Sequence, residues 1–145
     1  MPNKDSKGKG VFFRRMTILT AEQCKAIGDH DAFSRVLKRN YLKVEKGALE
    51  PLDYKKLVPQ EVFLRFISTD PNAVVCRIDD LRFLSSGELI GRVLPDESNY
   101  PGVMERLLRL PEAVFRFEPR IIERYAKTRR RPVTREVVTF DFVYL

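Results

Sequence analysis

The sequence predicts an α+β domain: a largely antiparallel β-sheet with two or three helices packed on it. Three observations predict it. Segments in which apolar and polar residues alternate recur along the chain, the pattern of half-buried strands. Turn-forming residues cluster between those segments. Around Phe33 and Val103, apolar residues fall at helical spacing instead.

The elements follow in order. Val11 to Leu19 reads as the first strand. Thr20, followed three residues later by Gln23, has the form of a capping box, which opens a short helix ending at Gly28. Asp29 or Asp31 can cap a second helix to about Arg39, with Phe33, Val36 and Leu37 facing the core. Arg35, Lys38 and Arg39 lie toward its C-terminal end, where cations favour the helix dipole. Asn40 to Gln60, broken by Gly47, Pro51 and Pro59, reads mostly as loop with short extended or helical pieces. Glu61 to Ile67 reads as a strand and Asp70-Pro71-Asn72 as a turn.

Ala73 to Leu84 and Glu88 to Leu94 form the clearest hairpin, joined through Ser85-Ser86-Gly87. Asn99-Tyr100-Pro101 starts a helix carrying the stripe Val103, Met104, Leu107, Leu108, which Pro111 ends. Ala113 to Phe117 is a strand continuing past Pro119 to Tyr125. The basic run then turns the chain, and Thr134 to Leu145 is the last strand, with Val138, Phe140, Phe142 and Tyr144 on one face.

Residues 1–10 are expected to be a flexible basic tail and 11–145 the single α+β domain. The composition is 43% hydrophobic and 10% aromatic, enough to build a core. The net charge of +7 and pI of about 9.6 suit a polyanionic partner. The charge is uneven: residues 1–46 carry net +6, 47–118 net −3 and 119–145 net +4. Cys24 and Cys76 match no metal or redox spacing and read as reduced, buried thiols. No secretory signal or membrane-length apolar run occurs, so a cytoplasmic protein without membrane association is expected.

Catalytic readings find little support. His30 lies between two aspartates near a helix start, and a catalytic histidine needs positioned partners. Asp79, Asp80 and Glu88 could hold magnesium in a nuclease, but adjacent strand residues should point to opposite faces. Ser85-Ser86-Gly87 is turn chemistry, and Lys7 to Gly10 is too short for a phosphate loop. No catalytic residue, metal site or cofactor is expected.

The stronger signal is binding. Lys127, Arg129, Arg130, Arg131 and Arg135 place five cations within nine residues. Like charges so close repel one another unless something anionic visits. The expected partner is single-stranded DNA or RNA, bound with weak sequence selectivity through phosphates and limited stacking. Tyr125 stands beside the run as a stacking candidate. Arg14, Arg15, Lys38 and Arg39 would extend the patch if the N-terminal unit packs nearby, and Lys4, Lys7 and Lys9 could add tail contacts. Elsewhere Phe and Arg alternate, as in Phe12-Phe13-Arg14-Arg15 and Phe115-Arg116-Phe117. A sheet with arginines on an open face and aromatics at its rim would suit a flexible nucleic-acid strand.

A helix-turn-helix over Thr20 to Arg39 is disfavoured, because Ser34 falls where an apolar residue should pack. The alternative of a different class is a protein-interaction or assembly subunit, or an inhibitor. Its C-terminal strand would pair with another chain, or with a second copy, if it lay at a sheet edge. An accessory role beside a polymerase in transcription or replication would combine the two.

Overall fold

The computed structural model describes residues 12–47, 70–99, 101–111, 114–125 and 132–144. The predicted tail, the predicted strand Glu61 to Ile67 and most of the basic run lie outside these residues. Within them the chain is α+β: a curled, six-stranded mixed sheet with three short α-helices and one 3-10 turn.

The strands are β1 (Arg14–Leu19), β2 (Tyr41–Lys46), β3 (Val74–Phe83), β4 (Leu89–Pro95), β5 (Phe115–Tyr125) and β6 (Pro132–Tyr144), in the spatial order β1-β4-β3-β2-β6-β5. The pairs β3–β4 and β5–β6, each of strands that follow one another in sequence, are antiparallel. At the first, Gly87 takes φ +97°, a left-handed conformation that glycine adopts without strain. The expected antiparallel sheet is nevertheless mixed, because β2 runs parallel to β6, with Glu45 opposite Asp141 and Lys46 opposite Phe142. These strands are remote in sequence, so no hairpin fixes their relative direction. The sequence Tyr41 to Lys46, read mostly as loop, is thus an interior strand that joins the two halves of the sheet.

The edge strands β1 and β5 curl toward each other, so that the Arg14 guanidinium lies 5.8 Å from the centre of the Phe115 ring. The inner face holds the core, built from Leu42, Val44, Ile78, Leu89, Val93, Phe115, Phe117, Phe140 and Phe142. Helix α1 (Ala21–Ile27) contributes Cys24 and Ile27 to it. Its capping box forms as the sequence predicts: Thr20 Oγ1 accepts from the Gln23 N–H, and Gln23 Oε1 accepts from the Thr20 N–H. Asp29 then caps a 3-10 turn, His30–Phe33, which runs into α2 (Ser34–Leu37) and buries Phe33 and Val36 fully. This single turn is shorter than the helix expected to Arg39. Its apolar side packs on the sheet, so it is no recognition helix of a helix-turn-helix. Helix α3 (Val103–Leu108) buries Met104 and Leu108, while Val103 at the start of the expected stripe stays 45% exposed.

Strand β6 is interior, flanked by β2 and β5, and buries Val137 to Phe140 together with Phe142 and Val143. The edge position on which C-terminal pairing was conditional is therefore occupied. Both cysteines are free and buried, and burial pushes each thiol above its ordinary pKa. Among the described residues, no helix is long and apolar enough to cross a membrane.

Candidate nucleic-acid interface

The described members of the predicted basic set lie on several elements: β1, the end of α2, and β6. Lys127, Arg129, Arg130 and Arg131 lie outside the described residues. Tyr125 ends β5, its backbone paired with Pro132. Arg135 belongs to β6, not to a loop. It faces Glu123 across the strand pair at 3.6 Å and donates to the Ala26 carbonyl at the end of α1. Arg14 is half-buried and donates to the carbonyls of Leu108 and Leu110, closing the C-terminal end of α3. Its ring partner Phe115 pairs with Tyr144, at the opposite end of β5 from Tyr125. At the usual rise per residue those ends are roughly 33 Å apart. Lys38 and Arg39 are exposed at the end of α2 and form no ion pair with a described residue.

A different surface brings cations and aromatics together: the outer face of β1, β4, β3 and β2. Strand pairing sets Arg15 opposite Arg92, Arg92 opposite Asp79, and Asp79 opposite Tyr41, one continuous row across four strands. The neighbouring row holds Leu94 opposite Arg77 and Arg77 opposite Lys43. Alternation turns Met16, Ile78, Val93 and Leu42 of the same strands inward, so these polar residues must face out.

Two aromatic rings stand on this face. Phe13 is 44% exposed, with the guanidiniums of Arg92 and Arg15 at 5.1 and 5.8 Å from its ring centre. Tyr41 is 47% exposed, with the Arg77 guanidinium at 6.0 Å. Three strand spacings separate β1 from β2, about 14 Å in all. The guanidiniums lie within cation–π range of both rings, which remain close to half exposed.

The carboxylates of Asp79 and Asp80 share this face. Arg92 donates two bonds of 2.7 Å to Asp79, and Arg15 donates one of 2.7 Å to Asp80. The hydrogen bond from Arg15, with the nearby charges of Arg82, Arg15 and Arg92, holds the Asp80 carboxyl below the usual carboxylate range. The expectation that the two aspartates point to opposite faces is thus overturned. A bulge puts both on one side, for both pair with arginines of the same row. Among the described residues, no three His, Cys, Asp or Glu side chains are grouped to hold a metal. His30 is stacked on Phe83, with ring centres 4.2 Å apart.

Of the predicted residues only Arg15 joins this surface. Tyr41 and Lys43 were missed because their segment read as loop. Arg77 and Arg92 were missed because no cluster marks them in sequence; their signal is the period-two alternation within strands that face each other.

A groove of about 440 Å³ lies between α3 and the ends of β2 and β6, lined by Val75, Met104, Leu107, Phe142 and Tyr144. It is apolar and gathers no set of titratable groups. No known family model matches the chain, and neither a curated protein nor a solved structure is significantly similar to it.

Proposed function

We propose that this is a non-enzymatic protein that binds single-stranded DNA or RNA with weak sequence selectivity. The observation that carries the reading is the outer face of β1-β4-β3-β2. It presents Phe13 and Tyr41 exposed, among Arg15, Arg77, Arg82, Arg92 and Lys43. Cations along a sheet track a phosphate backbone, and exposed rings accept any base, since every base has a π-face. Single strands are favoured because their bases are free to stack on rings, whereas those of a duplex are already paired. The basic run Lys127 to Arg131, with Arg135, Lys38 and Arg39, serves as a second, electrostatic contact, with Tyr125 beside it as a stacking candidate.

Labelled oligonucleotides titrated into the full chain at several salt concentrations test this. Replacing both Phe13 and Tyr41 by Ala is expected to weaken binding by about 1–3 kcal/mol per stacked base, with little change in salt dependence. Replacing Arg77 and Lys43 by Ala is expected to lower the slope of log affinity against log salt by about 0.7 per lost phosphate contact. The same measurement on Arg129→Ala/Arg130→Ala/Arg131→Ala reads the second contact. Unchanged affinity in the sheet-face variants would remove the sheet face from the reading. No binding to either nucleic acid at low salt would overturn the function and favour the protein-interaction alternative.

A further inference from the structure

The Asp80 carboxylate on the sheet face is not explained by stability. The register of β3 on β4 shifts between Asp79 and Arg82, so that Asp80 and Leu81 together face a single residue, Gly91. Asp80 takes φ +52°, the only positive value among the described non-glycine residues. Aspartate tolerates this region better than most residues, but it remains sparsely populated. Leu81 turns toward the core, and a Cβ on Gly91 would come within 2.8 Å of Ile78 and 3.1 Å of Leu81. The bulge is therefore accommodated on both strands. Its effect is to re-aim one side chain: Asp80 joins Asp79 on the outer face. Yet the Asp80–Arg15 pair it creates is about half exposed on both sides, where an ion pair adds little to stability.

What the bulge creates is an anionic lining beneath guanidinium groups. Arg92 grips Asp79 in a two-bond fork, the same geometry with which arginine grips a phosphate. Arg15 grips Asp80, and Arg82 lies close enough to influence the same carboxyl. The two gripping arginines also flank Phe13, the ring on which a base would stack. We propose that Asp79 and Asp80 are built-in phosphate surrogates, which occupy Arg92 and Arg15 in the free protein and yield them to the phosphates of a bound strand. This rests on the nucleic-acid reading of the sheet face. Binding is then an exchange of one anion for another: it preserves the arginine geometry in the free protein and keeps affinity moderate. A flexible single strand, which can lay its phosphates where the carboxylates were, is the partner that fits.

The test uses the full chain with labelled oligothymidylate and oligouridylate. The variants are Asp79→Asn, Asp80→Asn and both together, with Glu22→Gln on α1 as a control of equal charge change away from the face. Asp80→Gly is a further variant, which removes the same charge and suits the positive φ, so added backbone strain does not account for its result; its fold is checked by thermal denaturation. The expected result is tighter binding in each aspartate variant, about tenfold in the double variant, with a salt slope steeper by up to about 0.7 per carboxylate removed. Glu22→Gln is expected to move neither. If the wild type binds and the aspartate variants bind no tighter than Glu22→Gln, the surrogate role is wrong and the nucleic-acid reading stands. If neither the wild type nor the double variant binds at low salt, the nucleic-acid reading falls and takes this inference with it. Binding by the double variant alone would support both.

Discussion

Two of the arginine–carboxylate clusters in this molecule differ sharply in their exposure to water. On the outer face of β1-β4-β3-β2, Arg15 and Asp80 are 55% and 45% exposed. Where β2, β6 and β5 meet, Arg120 is 14% exposed and bonds both Asp141 and Glu45, which are 21% and 10% exposed. Arg120 Nε and Nη2 donate to the two Asp141 oxygens at 2.9 and 2.6 Å, and Nη2 lies 2.6 Å from Glu45. Glu45 also accepts the Asp70 N–H. Burial works against the charge on Arg120, but the hydrogen bonds and charges of Asp141 and Glu45 outweigh it, so its pKa stands above the ordinary arginine value. The same chemistry thus yields a buried staple in one place and a solvent-exposed pair in the other. Water decides the difference, because an exposed ion can replace its partner with solvent or another anion while a buried one cannot.

The largest expected effect tests the buried side. Arg120→Ala would leave two carboxylates largely buried without their cation, and is expected to destabilise the fold by about 3–5 kcal/mol, read by chemical denaturation. Arg15→Ala is the matched change on the exposed side and is expected to leave the denaturation midpoint nearly unmoved. A loss of similar size in both variants would erase the distinction. A smaller effect sharpens it by measuring an ordinary local interaction in the same fold: Thr20→Ala removes the α1 cap and should cost about 1 kcal/mol. The smallest effect is spectroscopic. The Asp80 carboxyl is expected to titrate below the ordinary carboxylate range by carbon-13 NMR, and Arg15→Ala should return it toward that range. The pair is complete above the ordinary carboxylate pKa and is lost as the pH falls through the lowered Asp80 value. An Asp80 titration that ignores Arg15→Ala would show that the pair does not persist in solution.

The contrast between regions also explains what the sequence could tell. Thr20 and Gln23 announced their helix because a capping box is complete within four residues. The β3–β4 hairpin was legible for the same reason, its turn lying between two alternating runs. Tyr41 to Lys46 was not, because its strand character comes from partners on β3 and β6 distant along the chain. The bulge at Asp80 escaped because a bulge is a property of two strands in register, and only Gly91 on the facing strand makes room for it. The outer face of the sheet followed suit. Composition drew attention to the dense run at Lys127 to Arg135, most of which lies outside the described residues. The arrangement on the sheet is assembled from single residues on β1, β2, β3 and β4 that no window of sequence contains.

The parallel contact between β2 and β6 carries a consequence for how the chain folds. The strands of the β3–β4 and β5–β6 pairs lie close together in sequence, but joining Glu45 to Asp141 closes most of the chain into a loop. The entropy lost in closing a loop grows with its length, and contacts remote in sequence slow folding. The ladder that fastens this loop is short, with two paired positions, a bond from the Gly47 N–H to the Phe142 carbonyl and one from Thr139 Oγ1 to the Lys43 carbonyl. Arg120, carried in by the already local β5–β6 hairpin, brings a cation to the place where the two distant carboxylates must meet. The closure that costs most in chain entropy is thus held by the ion pairs of Arg120 with Glu45 and Asp141 as well as by backbone bonds.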